Sequence, residues 1–344
     1  MTDSARSASQ PATDYARIGE DVTGVKERTA LQKVLSSQPF WVTIAVVLIC
    51  VVMAWIQPAF ATPQNFFNVT RNFAFVGIMA LGMTAVILTG GIDLSVGSIM
   101  GVVGVVCGLI LQAEQHWLLA ILAGLGTGAL LGAINGAFVA YVGLPPFVVT
   151  LGMLSIARSL AVVLSQNKMI YQFGPHGPTF IWIGGGETLG IAHAVWVLVI
   201  LTLVFAFVFN FTAWGRYLYA IGGNENAARL TGVPVDRIKL QAYVVSGLTA
   251  ALASVMIVGW QGSAINAMGT GYELRVIAST VIGGANLMGG EGGAFGAFIG
   301  AALIEVIRNS LLMAGVDSNW QGLFVGIFII LAVLLERVRG RKSE

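Results

Sequence analysis

Charge is what this sequence has least of. Only 10% of its 344 residues are Asp, Glu, Lys or Arg, against 56% hydrophobic, where a soluble chain carries roughly a quarter charged residues. No charged side chain occurs from Val34 to Thr70 or from Leu240 to Tyr272. A soluble domain needs polar groups to cover its core. This composition lacks them, so lipid must be the solvent for most of the chain. The net charge of +2 gives no reason to expect nucleic acid as a partner. Cysteine is nearly absent as well. Cys50 and Cys107 lie in apolar runs without ligand spacing and read as small core hydrophobes, not as a disulfide or metal site. The three histidines, His116, His176 and His193, stand apart, and there is no H-E-x-x-H or paired-cysteine motif. None of the five lysines falls in G-x-x-x-x-G-K-[ST], so the chain holds no nucleotide through a P-loop. No catalytic constellation and no bound cofactor or metal are expected.

What the sequence has in abundance is apolar runs near the roughly 20 residues a helix needs to cross a bilayer. They fall near Phe40–Ile56, Phe73–Thr89, Val96–Leu111, Trp117–Tyr141, Phe147–Leu164, Ala194–Phe211, Gln241–Trp260, Leu274–Ile282, Ala294–Met313 and Trp320–Leu335. The expectation is an all-α polytopic membrane protein with about ten transmembrane helices. The eighth run is too short to cross as an apolar helix; it is either broken or re-entrant, or it begins earlier, near Ala267. Non-helical backbone at that depth must be buried in protein or line a cavity. Residues 1–39 are polar and too long for the n-region of a signal peptide. They read as a disordered cytoplasmic tail, with an amphipathic surface helix around Val25–Leu35 as the alternative. The membrane domain is then 40–336, with a cytoplasmic loop at 215–239 and a C-terminal tail at 337–344.

Orientation follows from the basic residues. The N-terminal tail holds Arg6, Arg17, Lys26, Arg28 and Lys33, the loop after the sixth run holds Arg216, Arg229, Arg237 and Lys239, and the C-terminal tail holds Arg337, Arg339, Arg341 and Lys342. These are 13 of 18 basic residues, and ten crossings place all three segments on one face. That face is cytoplasmic by the positive-inside rule. The other connections hold Arg71, between the first two runs, and Lys168.

Glycine recurs every four residues at Gly124, Gly128, Gly132 and Gly136, and again at Gly292, Gly296 and Gly300, spacing that lets helix backbones approach closely. Gly90-Gly91-Ile92-Asp93-Leu94 and Gly283-Gly284-Ala285-Asn286-Leu287 look alike. Ionisable groups in a bilayer cost roughly 2.5–3.5 kcal/mol on insertion scales and usually face a cavity or one another. Asp93 and Ser95 follow a glycine pair; they either cap the next helix or form part of a gate. Glu273 and Arg275 are two apart and would not pair on a helix, whereas Glu305 and Arg308 are three apart and can, with Asn309 beside them. Arg158 has no evident partner. Asn135 and Asn286 are further candidates for the lining of a path, although amides often simply bridge helices.

On the cytoplasmic side, Gly215-Arg216 to Gly232-Val233-Pro234 contains a short helix predicted at 225–231. Asn224 would cap it, Gly232 would end it and Pro234 would punctuate it. It is too short to be stable alone, so something must pack against it. It reads either as an ordered loop or as a docking element for a soluble partner, built from Glu225, Ala227, Ala228 and Arg229.

The blocks Thr89-Gly90-Gly91-Ile92-Asp93-Leu94-Ser95-Val96-Gly97-Ser98, Pro145-Pro146-Phe147-Val148-Val149-Thr150-Leu151-Gly152, Gly215-Arg216 to Gly232, and Gly269-Thr270-Gly271-Tyr272-Glu273-Leu274 resemble the ribose/xylose/arabinose branch of bacterial ABC importer permeases. The resemblance runs in order from about Phe40 to the C-terminus. Ala285-Asn286 stand where Thr-Ser is common in that branch. The resemblance implies a permease dimer, most simply a homodimer, in the inner membrane with both termini cytoplasmic. It further implies a cytoplasmic ATPase that uses the ATP, a periplasmic sugar-binding protein, and a path at the dimer interface. The permease itself would catalyse nothing, and the 215–234 loop would be the coupling element. Three other readings stand beside it. A branched-chain amino acid permease would call for more charge in its path than these amides and hydroxyls provide. An ion-coupled secondary transporter would use Asp93 or Glu273 as its ion site. A structural scaffold would move no solute.

Overall fold

The computed structural model describes residue 35, residues 37–317 and residues 320, 322–324, 326, 327 and 330. The chain divides into two units, Met1–Ser37 and Gln38–Glu344, and the helices of the second carry the site. The tails expected at 1–39 and 337–344, the segment Val25–Leu35 and the tenth run Trp320–Leu335 lie wholly or largely outside the described residues.

The elements run α1 (Gln38–Ile56), α2 (Pro63–Leu88), α3 (Val96–Gln112), α4 (Trp117–Ala140), α5 (Pro146–Leu164), α6 (Gly177–Gly185), β1 (Glu187–Thr188), β2 (Ile191–Ala192), α7 (His193–Phe211), α8 (Ala213–Gly223), α9 (Glu225–Leu230), α10 (Val235–Gln261), α11 (Tyr272–Ile282) and α12 (Ala294–Met313). Helix is the form that apolar runs must take in lipid, because it pairs every backbone group within the segment. Helix starts are set by local chemistry: Pro63 and Pro146 occupy first turns, and the Thr62 hydroxyl accepts the Asn65 N–H. β1 and β2 form a hairpin, Glu187 opposite Ala192, closed by Leu189 and Gly190 at positive φ as a two-residue turn requires.

Seven of these helices are long and apolar enough to cross a membrane: α1, α2, α4, α5, α7, α10 and α12. The expected count of about ten transmembrane helices, one of them short or re-entrant, is therefore not reached among the described residues. α3 has 17 residues and α11 only 11, because each begins after a stretch of irregular chain. A second correction concerns Arg71. It lies inside α2, which starts ten residues before the apolar run does, and not in a connection. Its guanidinium stacks 4.2 Å from the Trp260 ring and donates to Asn68; these partners let a polar stretch enter a helix.

α2 and α10 form the buried centre of the bundle, and α4 lies along α10. A Cβ at Gly128 would strike the Gly247 carbonyl, and one at Gly132 or Gly136 the backbone of Tyr243 or Leu240. Here the four-residue glycine spacing does what membrane packing asks of it. In the second ladder Gly296 and Gly300 meet the backbones of Gly283 and Ser279, whereas Gly292 precedes α12.

Candidate functional site

Three structural features gather the polar residues: a sealed break between α2 and α3, a broken crossing before α11, and a helix pair in the basic loop that touches the loops beside both.

At the first break α2 ends in a left-handed Gly90 (φ 77°), and the Gly91 N–H returns to the Val86 carbonyl at 3.1 Å, the closing bond of a Schellman-type cap. The chain then turns inward. Asp93 is fully buried and accepts from the Ser95 N–H (2.9 Å), the Ser95 hydroxyl (2.6 Å) and the Ser246 hydroxyl of α10 (2.8 Å). Asn135 of α4 donates to the Ser95 oxygen at 2.8 Å. Asp93 therefore caps the start of α3 and ties it to α4 and α10, while the Ser95 side chain makes no cap bond of its own. All four side chains are at 0% exposure. Such a network holds helices in one arrangement because each lost partner would leave an unpaired polar group in a medium without water.

The similar loop after α11 repeats the turn chemistry. Gly284 takes φ 104°, Ala285 N–H returns to Thr280, and Asn286 accepts the Met288 N–H at 2.8 Å.

The second feature explains the short eighth run. After α10 the chain turns at Gly262 (φ 62°) and descends beside α3 in irregular, turn-rich form. Its register against α3 is set by glycines that carry no four-residue repeat. Ala264 lies on Gly108, Met268 on Gly104 and Gly101, and Gly269 on Gly97, where any Cβ would meet backbone or side chain. From Gly108 to Gly97 the descent is on the order of 15 Å at 1.5 Å per residue. α11 then covers about 16 Å more, so the two together have a length comparable to a hydrocarbon core of roughly 30 Å. Sequence reasoning missed this seam although its signal was legible: Gly97, Gly101, Gly104 and Gly108 share one helix face.

Arg158 of α5 holds this irregular stretch. Its guanidinium donates to the carbonyls of Asn266 (3.0 Å) and Met268 (2.9 Å), partners that no sequence motif announces. Glu273 accepts the Gly271 N–H at 3.3 Å, and Arg275 stacks 4.4 Å from the Tyr272 ring. Glu305 is buried and bonded by Arg308, the expected i,i+3 pair. Asn309 exchanges two hydrogen bonds with Asn65 of α2, at 2.9 and 3.0 Å. Asn309 thus lies in a helix contact, as do Asp93, Ser95 and Asn135, while Glu273, Arg275 and Asn286 are only partly covered.

The third feature occupies the basic loop between α7 and α10. Thr212 caps α8 through the Gly215 N–H, and no Cβ fits at Gly215 against the Val208 and Phe209 carbonyls. Asn224 caps α9 through the Ala227 N–H at 2.9 Å, and Gly232 ends it at φ 85°. Arg229 bonds Asp236 at 2.6 and 3.0 Å, and Lys239 bonds Glu225 at 2.5 Å. The Asp236 carboxylate holds the Arg229 guanidinium above its ordinary pKa. Of the two alanines singled out, Ala227 faces solvent and Ala228 is buried against the bundle; the outward surface is completed by Arg216, Arg229 and Leu230, the last 90% exposed.

α8 delivers Gly222 into the meeting point of the two glycine loops. A Cβ there would strike the Leu88 carbonyl and the Gly290 N–H, which bond one another at 3.1 Å. A Cβ on Gly289 would meet Gly222 and the Gly90 nitrogen. Tyr219 adds a bond to the Gly292 carbonyl at 2.9 Å. With no side chains intervening, α8 is in backbone contact with both loops. Beside this junction opens a cavity of about 410 Å³ reaching Glu225, Lys239 and Tyr243.

Residues 65–333 match the family model described as branched-chain amino acid transport system / permease component. The chain is 39% identical over 294 residues to the ribose import permease protein of Escherichia coli (strain K12), covering 85% of this chain and 92% of that one. It is 36% identical over 351 residues to the fructose import permease protein of Rhizobium meliloti, with 96% of each covered. It is 32% identical over 282 residues to the L-arabinose ABC transporter permease protein of Azospirillum brasilense, with 82% of each covered. No solved structure matches the chain. The chain therefore belongs to this permease-component family, among its ribose-, fructose- and arabinose-type ABC permeases.

Proposed function

We propose that this chain is the membrane-spanning subunit of an ATP-driven importer that carries a monosaccharide or related polyol across a bacterial inner membrane. Kinship to sugar permeases over most of the chain supports the solute class. The observation that carries the mechanism is α9, a capped helix with an exposed outer face, joined through Gly222 to the loops that flank the glycine breaks. In this reading two copies form the permease across about ten crossings each, with both termini cytoplasmic. A separate ATPase docks on α9 and its neighbours, and a periplasmic binding protein delivers the solute. Closure of the ATPases pushes α8 and α9, and backbone contacts at Gly222, Gly289 and Gly90 pass the movement to α2, α3, α11 and α12. Rigid elements that meet without side chains transmit a displacement without rotamer slack.

The test is uptake of radiolabelled ribose, fructose, arabinose and inositol by cells with and without this gene, with the partner ATPase and binding protein present. Loss of uptake of one neutral solute that depends on ATP and resists an uncoupler is the expected result. Uptake that collapses with the ion gradient while ATP holds would overturn it in favour of a secondary transporter.

A further inference from the structure

The broken crossing has one side sealed against α3 by glycines. Its other side is open. Ile265, Ala267 and Thr270 are exposed along it, and so is the neighbouring face of α5, with Gly152, Ser155 and Ser159. At 1.5 Å per residue from Pro146, Ser155 and Ser159 stand about 13 and 19 Å into a helix of about 28 Å, near the middle of the bilayer. Arg158, between them in sequence, reaches across to the Asn266 and Met268 carbonyls, so the two surfaces are one wall. The next residue, Ser159, and the one a turn earlier, Ser155, point away from the buried stripe of Thr150, Met153, Ala157 and Ala161.

Irregular backbone at mid-bilayer is not tolerated against lipid tails, which offer its peptide groups no partner; it occurs only where protein covers it or water fills a cavity beside it. A cation at that depth carries the same constraint. Within the described residues no element covers this side. The outward face of α7 around Leu203 is, by contrast, regular apolar helix and suits lipid.

Building on the importer reading above, we infer that Ser155, Ser159 and Thr270 line the solute path, on a wall that a second copy of this chain closes from the opposite side. The exposed face of α5 also carries Leu151, Ile156 and Val163; the hydroxyls set among them suit a neutral polyhydroxylated solute, with which they exchange donor and acceptor roles. Gly152, where an added methyl group would meet nothing within 4 Å, leaves room for a ring. These wall residues include no carboxylate, so nothing among them demands a cation as co-substrate. Arg158 is a positioning residue, holding the irregular chain in place from behind.

The experiment uses the full transporter, with its ATPase and binding protein, in liposomes. Single cysteines are placed at Ser155, Ser159, Thr270 and the control Leu203 in a Cys50→Ala, Cys107→Ala background and treated with a charged methanethiosulfonate. The three wall positions are expected to react at least tenfold faster than Leu203→Cys. Equal, slow reaction at all four would overturn the inference, and this arm needs no sugar, so it decides the wall even if the import reading fails. In a second arm Ser155→Trp and Thr270→Trp should lower uptake of the labelled sugar at least tenfold while ATP hydrolysis stays within about twofold. Wild-type uptake by both would place the path elsewhere while leaving the importer reading intact. Ser159→Ala, which keeps the wall's shape, should have a smaller effect than either tryptophan.

Discussion

The two breaks in the helical bundle start from similar chemistry and end differently. Both interrupt a crossing with glycines at positive φ, and both bring ionisable groups to membrane depth. At Asp93 every acceptor bond is made within the bundle, from Ser95 and from Ser246 on α10, and the side chains of the network are fully buried. At 262–271 one side is glycine-sealed on α3, and the other is tied by Arg158, by Asn266 to Ser165 and Asn167, and by the Ile170–Ala264 backbone pair, with Ile265, Ala267 and Thr270 left exposed. The difference teaches that a polar break in a membrane protein can be a joint or a lining, and that enclosure, not residue type, separates the two.

Substitutions can break or sharpen that contrast. The largest loss of stability is expected for Asp93→Ala, which strands two hydroxyls and an N–H in the bundle. About 3–9 kcal/mol follows from three stranded groups at roughly 1–3 kcal/mol each, read as thermal unfolding in detergent. Asp93→Asn keeps one oxygen to accept from Ser95 and presents an amide N–H to the Ser246 hydroxyl, which can accept it, so it should cost about 1 kcal/mol; equal loss in both would mean that charge, not hydrogen bonding, holds the joint. Arg158→Met frees two carbonyls and should cost about 2–6 kcal/mol, with uptake falling further than stability explains. Stability loss with normal uptake per folded transporter would make the second break a joint like the first. Gly222→Ala overpacks the junction by about 1–2 kcal/mol, and its signature is sugar uptake lost while ATP hydrolysis continues. Arg229→Ala and Glu225→Ala lie at the exposed end and should leave the melting temperature unchanged while weakening the tie between hydrolysis and uptake; coupled uptake at the wild-type rate in both would remove α9 from the coupling path.

Much of this architecture is visible in the residues. Apolar runs mark α1, α3, α4, α5, α7, α11 and α12 to within two positions, because hydrophobic length is a local property, while α10 starts six residues before its run. The start of α2 escaped, since Asn65, Arg71 and their neighbours read as loop until Asn309 and Trp260 supply their partners from elsewhere in the chain. The cap of α9 was legible because Asn224 acts on an N–H three residues on. The inward turn of Ala228 was not, because a six-residue helix carries too little periodicity to fix its face. Asp93 was readable as a cap, but its bond to Ser246 spans 153 positions.

By itself the sequence determined the solvent, the helical class and the places where glycine interrupts helices. These follow from composition, hydrophobic length and backbone chemistry, all local or additive. Only the tertiary structure decided which polar residues are enclosed and which are uncovered, that the eighth crossing is half irregular chain and half helix, and that α8 meets the two glycine loops backbone to backbone. Those depend on contacts between distant segments, where a missing Cβ or a long guanidinium reach matters only once its neighbour is in place.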